Sequence, residues 1–160
     1  MKKYIASLAF ALFVVVTLSA RTPTQEIDAE IWSVLVETVA TDDIIGMGRV
    51  YLPTAVLVTP RGTAGIKETL ERWGKDMVTA KAKGDKATVE FRFSRRQDDA
   101  ATAFESGIFK YTVIDKGGVK SPKYYPFEQL LVKSDGKWRI AMERQFAEVT
   151  AAEWDKLLSK

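Results

Sequence analysis

Lys133-Ser134-Asp135-Gly136-Lys137-Trp138-Arg139-Ile140 decides the fold of this chain. Asp-Gly between two apolar-rich runs is a strong short-range hairpin signal, because both turn positions need a left-handed backbone. The run before it, Tyr124 to Lys133, and the run after it, Trp138 to Phe146, therefore read as antiparallel neighbours. Working backwards, Asp115-Lys116-Gly117-Gly118 is a second turn, and Thr102 to about Ile114 is a long strand. On that strand Glu105, Gly107, Phe109, Tyr111 and Val113 share one face. A Gln97-Asp98-Asp99 turn joins it to Val89, Phe91 and Phe93, which alternate with Glu90, Arg92 and Ser94.

Upstream the period changes. Thr22-Pro23-Thr24-Gln25 carries a cap, a proline at the first helical position and the Gln of a capping box. Ile27, Ile31, Val34, Leu35 and Val39 then make the stripe of a helix buried on one side, with Trp32 and Val36 widening it. Asp43 caps a short second helix. Pro53 and Pro60 bracket the strand Ala55–Val58, and Arg61-Gly62 reads as a turn. A third helix from about Ala64 carries Ile66, Leu70, Trp73 and Met77, and a Lys-rich connector, Lys81–Lys86, follows it. Thr150-Ala151-Ala152-Glu153 opens a terminal helix over about 150–159 with Trp154, Leu157 and Leu158 on its buried side. The fold class is α+β: an antiparallel sheet whose concave face is crossed by a long N-terminal helix.

The first twenty residues are a separate matter. Lys2-Lys3 precede an apolar run from Ile5 to Leu18, the layout of a secretory leader and shorter than a membrane span. The expectation is export to the periplasm or medium with cleavage near residues 19–21, and an uncleaved N-terminal anchor is the lesser reading. The rest, 21–160, reads as one domain. The chain has 24 Lys+Arg, 21 Asp+Glu and a formal charge of +3, and losing Lys2 and Lys3 lowers that charge to +1. A case for nucleic acid on charge alone goes with them. No His and no Cys are present, so the usual zinc sites, Cys nucleophiles, His-based triads and disulfides are excluded. No Gly-rich phosphate loop or carboxylate metal loop appears. Arg95-Arg96 and the Lys81–Lys86 run lie among acids and read as solvated faces.

Four pieces together resemble the nuclear-transport-factor-two-like superfamily, and within it the SnoaL-like and ketosteroid-isomerase-like exported bacterial proteins. They are Thr41-Asp42-Asp43, then Ala55-Val56-Leu57-Val58-Thr59-Pro60 followed by Gly65-Ile66, Glu105-Ser106-Gly107 with Phe109 and Tyr111, and Lys133 to Ile140. They span about residues 26–146. The resemblance implies a cone-shaped curved sheet around the long helix, an apolar pocket at its wide end, and, for many members, dimerisation through the sheet. The superfamily holds isomerases, dehydratases, cyclases and hydrolases, and also ligand binders and assembly domains, so fold alone selects none of them. Relatives often carry His or Asp at the end of the last strand, where this chain has Glu143, Arg144 and Gln145, and the terminal helix lies outside the common pattern.

Isomerase-type chemistry needs a carboxylate base and hydrogen-bond donors in an apolar cavity. Glu105 with Tyr111 supplies both on one face; a cross-strand ion pair between Glu105 and an Arg or Lys is the structural alternative. On the last strand, alternation turns Trp138, Ile140, Met142 and Arg144 to one side and Glu143 to the other, whereas the resemblance puts Glu143 in the pocket. A bulge would reconcile the two. Tyr51, Phe109, Phe127, Gln129 and Arg144 are the candidate ligand contacts, with Arg144 as an anion clamp or as a partner of Glu105. Trp32 and Trp73 suit either the cavity or the core. Two functions remain in competition. One is an exported domain that binds a small apolar organic molecule, with any catalysis being cofactor-free and metal-free isomerase or lyase chemistry. The other is a non-catalytic dimerisation or assembly module whose cone is filled by its own side chains. Expected partners are the small molecule and a second copy through the sheet, without nucleic acid and without stable membrane insertion once the leader is removed.

Overall fold

The structure, a computed structural model, describes residues 21–157; the leader read at 1–20, and Leu158, lie outside the described residues. The N-terminal capping box forms: Thr22 Oγ1 accepts from Gln25 N at 3.3 Å, and Gln25 Oε1 accepts from Thr22 N at 3.0 Å. It starts a helix in three joined parts: α1 (Pro23–Ile27), a π-helical turn (Asp28–Trp32) and α2 (Ser33–Thr41). The π turn had no signature in the apolar stripe. It rotates the stripe locally, and both Ile31 and Trp32 are buried. Asp42 ends α2 in the left-handed conformation, and the Asp43 carboxylate caps α3 (Ile44–Gly48) through Gly46 N at 2.8 Å.

Strand β1 (Tyr51–Thr59) turns into β2 (Gly62–Gly65), a short edge strand where a turn and the start of a helix were expected. Helix α4 (Ile66–Lys83) continues through the first half of the expected Lys-rich connector and stops at Gly84, φ 81°. Then come β3 (Lys86–Asp98), β4 (Thr102–Ile114), β5 (Lys120–Ser134), β6 (Lys137–Gln145) and α5 (Ala151–Asp155). The Asp135-Gly136 turn has φ of 51° and 73°, the left-handed pair that the dipeptide promises. Strand β5 begins four residues before the expected Tyr124, despite Pro122 and Pro126. Pro126 O accepts Phe146 N and Tyr124 O accepts Val149 N, so this parity of β5 faces away from β4. The prolines therefore remove no donor from the β4 ladder.

The sheet order is β2-β1-β6-β5-β4-β3. All pairs are antiparallel except β1 with β6, which are parallel, so the sheet is mixed where a purely antiparallel one was expected. No hairpin links β1 to β6; the chain between them runs through β2, α4 and the meander. The curved, unclosed sheet wraps the N-terminal helix. The core consists of Ile27, Ile31, Trp32, Leu35 and Val39 against Tyr51, Ala55, Phe127, Leu131, Trp138 and Ile140.

Candidate functional site

Two irregularities of pairing build the site. Between Phe93 and Arg95 the β3–β4 register slips by one residue, and Gly107 sits opposite. A Cβ there would lie 2.0 Å from Arg92 O, so the close backbone approach demands glycine. Between Ile140 and Met142 the β5–β6 register slips as well, leaving Ala141 as the extra residue. Trp138 and Ile140 face the helix before this bulge, and Glu143 does so after it. The bulge thus corrects strict alternation: Glu143 is 5% exposed, whereas Arg144 is on the opposite, solvent-facing side and pairs with Glu128 at 3.7 Å. Arg144 is neither a pocket contact nor a partner of Glu105.

The two slips bring Arg96, Glu105, Gln129 and Glu143 into one cross-strand row on the concave face, β3 to β6. Glu105 is fully buried. Its Oε1 accepts from Arg96 Nε at 2.8 Å and its Oε2 from Trp32 Nε1 at 2.6 Å. Arg96 also donates to Asp28 Oδ1 at 2.6 Å and stacks on Phe93, so it is a half-buried clamp and not the solvated cation the sequence indicated. Burial pushes the Glu105 carboxyl up, against the Arg96 guanidinium and the indole N–H that hold it down. Burial likewise opposes the charge of Arg96, but hydrogen bonds to Asp28 and Glu105 outweigh it and hold the guanidinium protonated.

Glu143 has no cation. Its Oε2 accepts from Tyr51 Oη at 2.7 Å and from Gln129 Nε2 at 3.2 Å, and its Oε1 accepts from Gln145 Nε2 at 2.6 Å. Burial raises its carboxyl above the ordinary range, although the three donors pull the other way. Burial, reinforced by the neighbouring Glu143 carboxylate, lifts the Tyr51 phenol well above its usual value. Gln129 Oε1 is buried without a hydrogen-bond partner.

The sequence-level pairing of Glu105 with Tyr111 does not form a site. Both are on the concave face, but six residues of strand separate them by about 20 Å. The Tyr111 phenol is raised by burial and then by the negative charges of Asp42 and Asp76. Phe109 and Phe127 do belong to the interior, but as packing. Trp32 lies 4.6 Å from Phe91, 5.0 Å from Phe93 and 5.4 Å from Phe127, ring centre to ring centre, and Phe109 extends the cluster. The sequence left Trp32 open between core and cavity; the structure puts it in the core, capping Glu105.

Two surface depressions accompany this interior. One, about 490 Å³, is lined by Glu30, Glu37, Asp43, Arg49, Lys137 and Arg139 among others. The other, about 430 Å³, opens over Trp32, Phe91, Phe93, Arg96 and Asp28. Neither is lined by Glu105 or Glu143. Among the described residues no cluster of acids is arranged to hold a metal ion, and no helix is long and apolar enough to cross a membrane.

No protein-family model matches the sequence, and no curated protein matches it. Solved structures do. An NTF-2-like protein of unknown function from Shewanella oneidensis superposes with a TM-score of 0.66 at 18% identity, over 79% of this chain and 100% of its own. A putative calcium/calmodulin-dependent protein kinase II association domain from Xanthomonas campestris gives 0.59 at 23%, over 84% and 97%. A ketosteroid isomerase-like protein from Erwinia carotovora gives 0.53 at 22%, over 78% and 98%. At these identities the likeness is one of fold. This chain has the nuclear-transport-factor-two-like fold.

Proposed function

We propose that this chain is a non-catalytic self-association module, acting after export, on a cone filled by its own side chains. The observation that carries the reading is the occupied interior. Trp32 and its ring neighbours pack the concave face, and every oxygen of the two buried acids already accepts a protein hydrogen bond. A general base must lie within hydrogen-bond reach of the proton it takes, and neither acid lines either of the two surface depressions. Export is inferred from the basic-then-apolar leader at residues 1–20.

The convex face supports the association half of the reading. One residue along from the polar row, Phe104, Leu130, Met142 and Val56 pair in register across four adjacent strands. Leu130 is 39% exposed and Val56 37%. Beside this apolar row lies the Glu128–Arg144 pair, so a second copy related by a two-fold axis would meet apolar groups with apolar groups and either charge with its opposite. The Xanthomonas relative, described as an association domain, is consistent with assembly on this fold.

A second reading has its own support. Glu143, bonded only to neutral groups beside the unpartnered Gln129 Oε1, is the arrangement a small-molecule site with acid–base chemistry would use. Native mass spectrometry of the protein from its own compartment separates the two. A dimer without ligand, broken to a folded monomer by Leu130→Glu, supports association. A monomer, or a small molecule retained at unit stoichiometry, overturns it.

A further inference from the structure

The Lys-rich stretch that the sequence left as a solvated face acquires neighbours in the fold. Gly84, which ends α4, touches the turn between β4 and β5: a Cβ at Gly84 would lie 3.3 Å from Lys116 Cβ. Lys86 and Lys120 both pair with Ile114, from opposite sides. Lys81, Lys83, Lys86, Lys116 and Lys120 therefore gather at one tip of the molecule, all exposed. Among the described residues none of the five forms an ion pair. The only acids within these turns are Asp85 and Asp115, and Asp115 is committed to the turn itself through Gly117 N and Val119 N. This tip carries three more cations than anions, while the chain beyond the leader has a net charge of only +1. The rest of the domain is accordingly slightly acidic, and the protein is a dipole.

At the end of that dipole stands an apolar group. Val119, between Gly118 and Lys120, is 64% exposed. The tip holds no arginine fork for bidentate phosphate contacts and no aromatic ring on which a base would stack. Lysine point charges around a protruding aliphatic residue fit a surface of diffuse negative charge over a hydrocarbon layer. We infer that this tip docks the domain reversibly on an anionic lipid surface. The site is about 33 Å along β4 from the apolar row on the convex face, so one surface leaves the other free.

Flotation with vesicles tests it, using the chain as recovered from expressing cells; any affinity of the leader is common to all variants. The full chain should bind phosphatidylcholine vesicles containing phosphatidylglycerol more tightly than pure phosphatidylcholine, and salt should weaken that difference. Each lysine neutralised should cost about fivefold, so Lys116→Gln with Lys120→Gln should cost about 25-fold. Val119→Ser should lower binding by up to about tenfold and leave the salt dependence unchanged. The residues are exposed, and an unaltered melting temperature certifies the fold. Equal binding to both vesicle types, or no response to the lysine pair, overturns the inference. So does a single-stranded oligonucleotide that binds as tightly and ignores Val119→Ser, which would make the tip a general polyanion surface.

Discussion

Trp32→Ala is the perturbation that bears most directly on whether the cone is filled or open. The indole is 5% exposed and touches Phe91, Phe93 and Phe127, and its N–H caps Glu105 Oε2 at 2.6 Å. Truncating a buried Trp costs about 3–5 kcal/mol, and an unpaired buried carboxylate oxygen puts this case in the upper half of that range. For a domain of this size that lowers Tm by about 12–16 °C. The variant should then contain a ring-lined cavity of the size that accepts a flat apolar molecule. Indole at a hundredfold excess over its Kd should return about 2.7 kcal/mol. Differential scanning fluorimetry with and without indole measures both numbers. Trp32→Phe, which keeps one six-membered ring but removes the N–H and the rest of the indole, should fall between wild type and Trp32→Ala. A loss below about 1 kcal/mol, or equal stabilisation of wild type and variant by indole, refutes the filled-cone reasoning, because either outcome means the interior already has room.

Three further outcomes follow from the same geometry. Glu143 has its folded carboxyl raised by burial, so the native state holds a proton that the unfolded state releases; stability falls as pH climbs from the ordinary value of 4.5 through the raised one. Glu143→Gln, whose amide Tyr51, Gln129 and Gln145 can all still serve by reorienting, should remove the Glu143 share of that decline and leave the share of Glu105, also raised by burial. Urea denaturation across pH should show the variant gaining on wild type as pH increases. Gly107→Ala drives a Cβ to 2.0 Å from Arg92 O, a backbone atom that cannot step aside, and should cost about 3 kcal/mol or more by chemical denaturation. Trp154 packs on the convex face beneath Arg92 at 4.3 Å and Lys110 at 5.4 Å, so Trp154→Ala should release α5 for about 2–3 kcal/mol, visible as fast amide exchange over 150–157 with β4 still protected.

Short-range chemistry explains what was legible in advance. The Thr22 and Thr150 capping boxes, the Asp43 cap and the Asp135-Gly136 turn each join groups within four residues, and each is present. Alternation on β4 likewise placed Glu105 and Phe109 on one face. The pairing of Glu105 with a cross-strand arginine was foreseen as an alternative, and Arg96 fulfils it. Glu105 with Tyr111 failed as a site because sharing a face says nothing about distance along a strand. Arg144 failed because a single extra residue, Ala141, reverses the parity of everything after it.

By itself the sequence determined the α+β class, the meander, the long N-terminal helix and the absence of His and Cys chemistry, since composition, periodicity and turn propensity are local properties. Only the tertiary structure decided which side chains share a row. The bulges at Ser94 and Ala141 form only where consecutive strands of the meander pair, while the π turn that seats Trp32 and the parallel pairing of β1 with β6 rest on contacts far away in the chain. Those contacts align Arg96, Glu105, Gln129 and Glu143 inside the cone and leave Phe104, Leu130, Met142 and Val56 outside it. A one-residue slip leaves the apolar pattern of each strand almost unchanged, yet it exchanges inside for outside. That is why the candidate site, unlike the fold, had to be read from the paired strands.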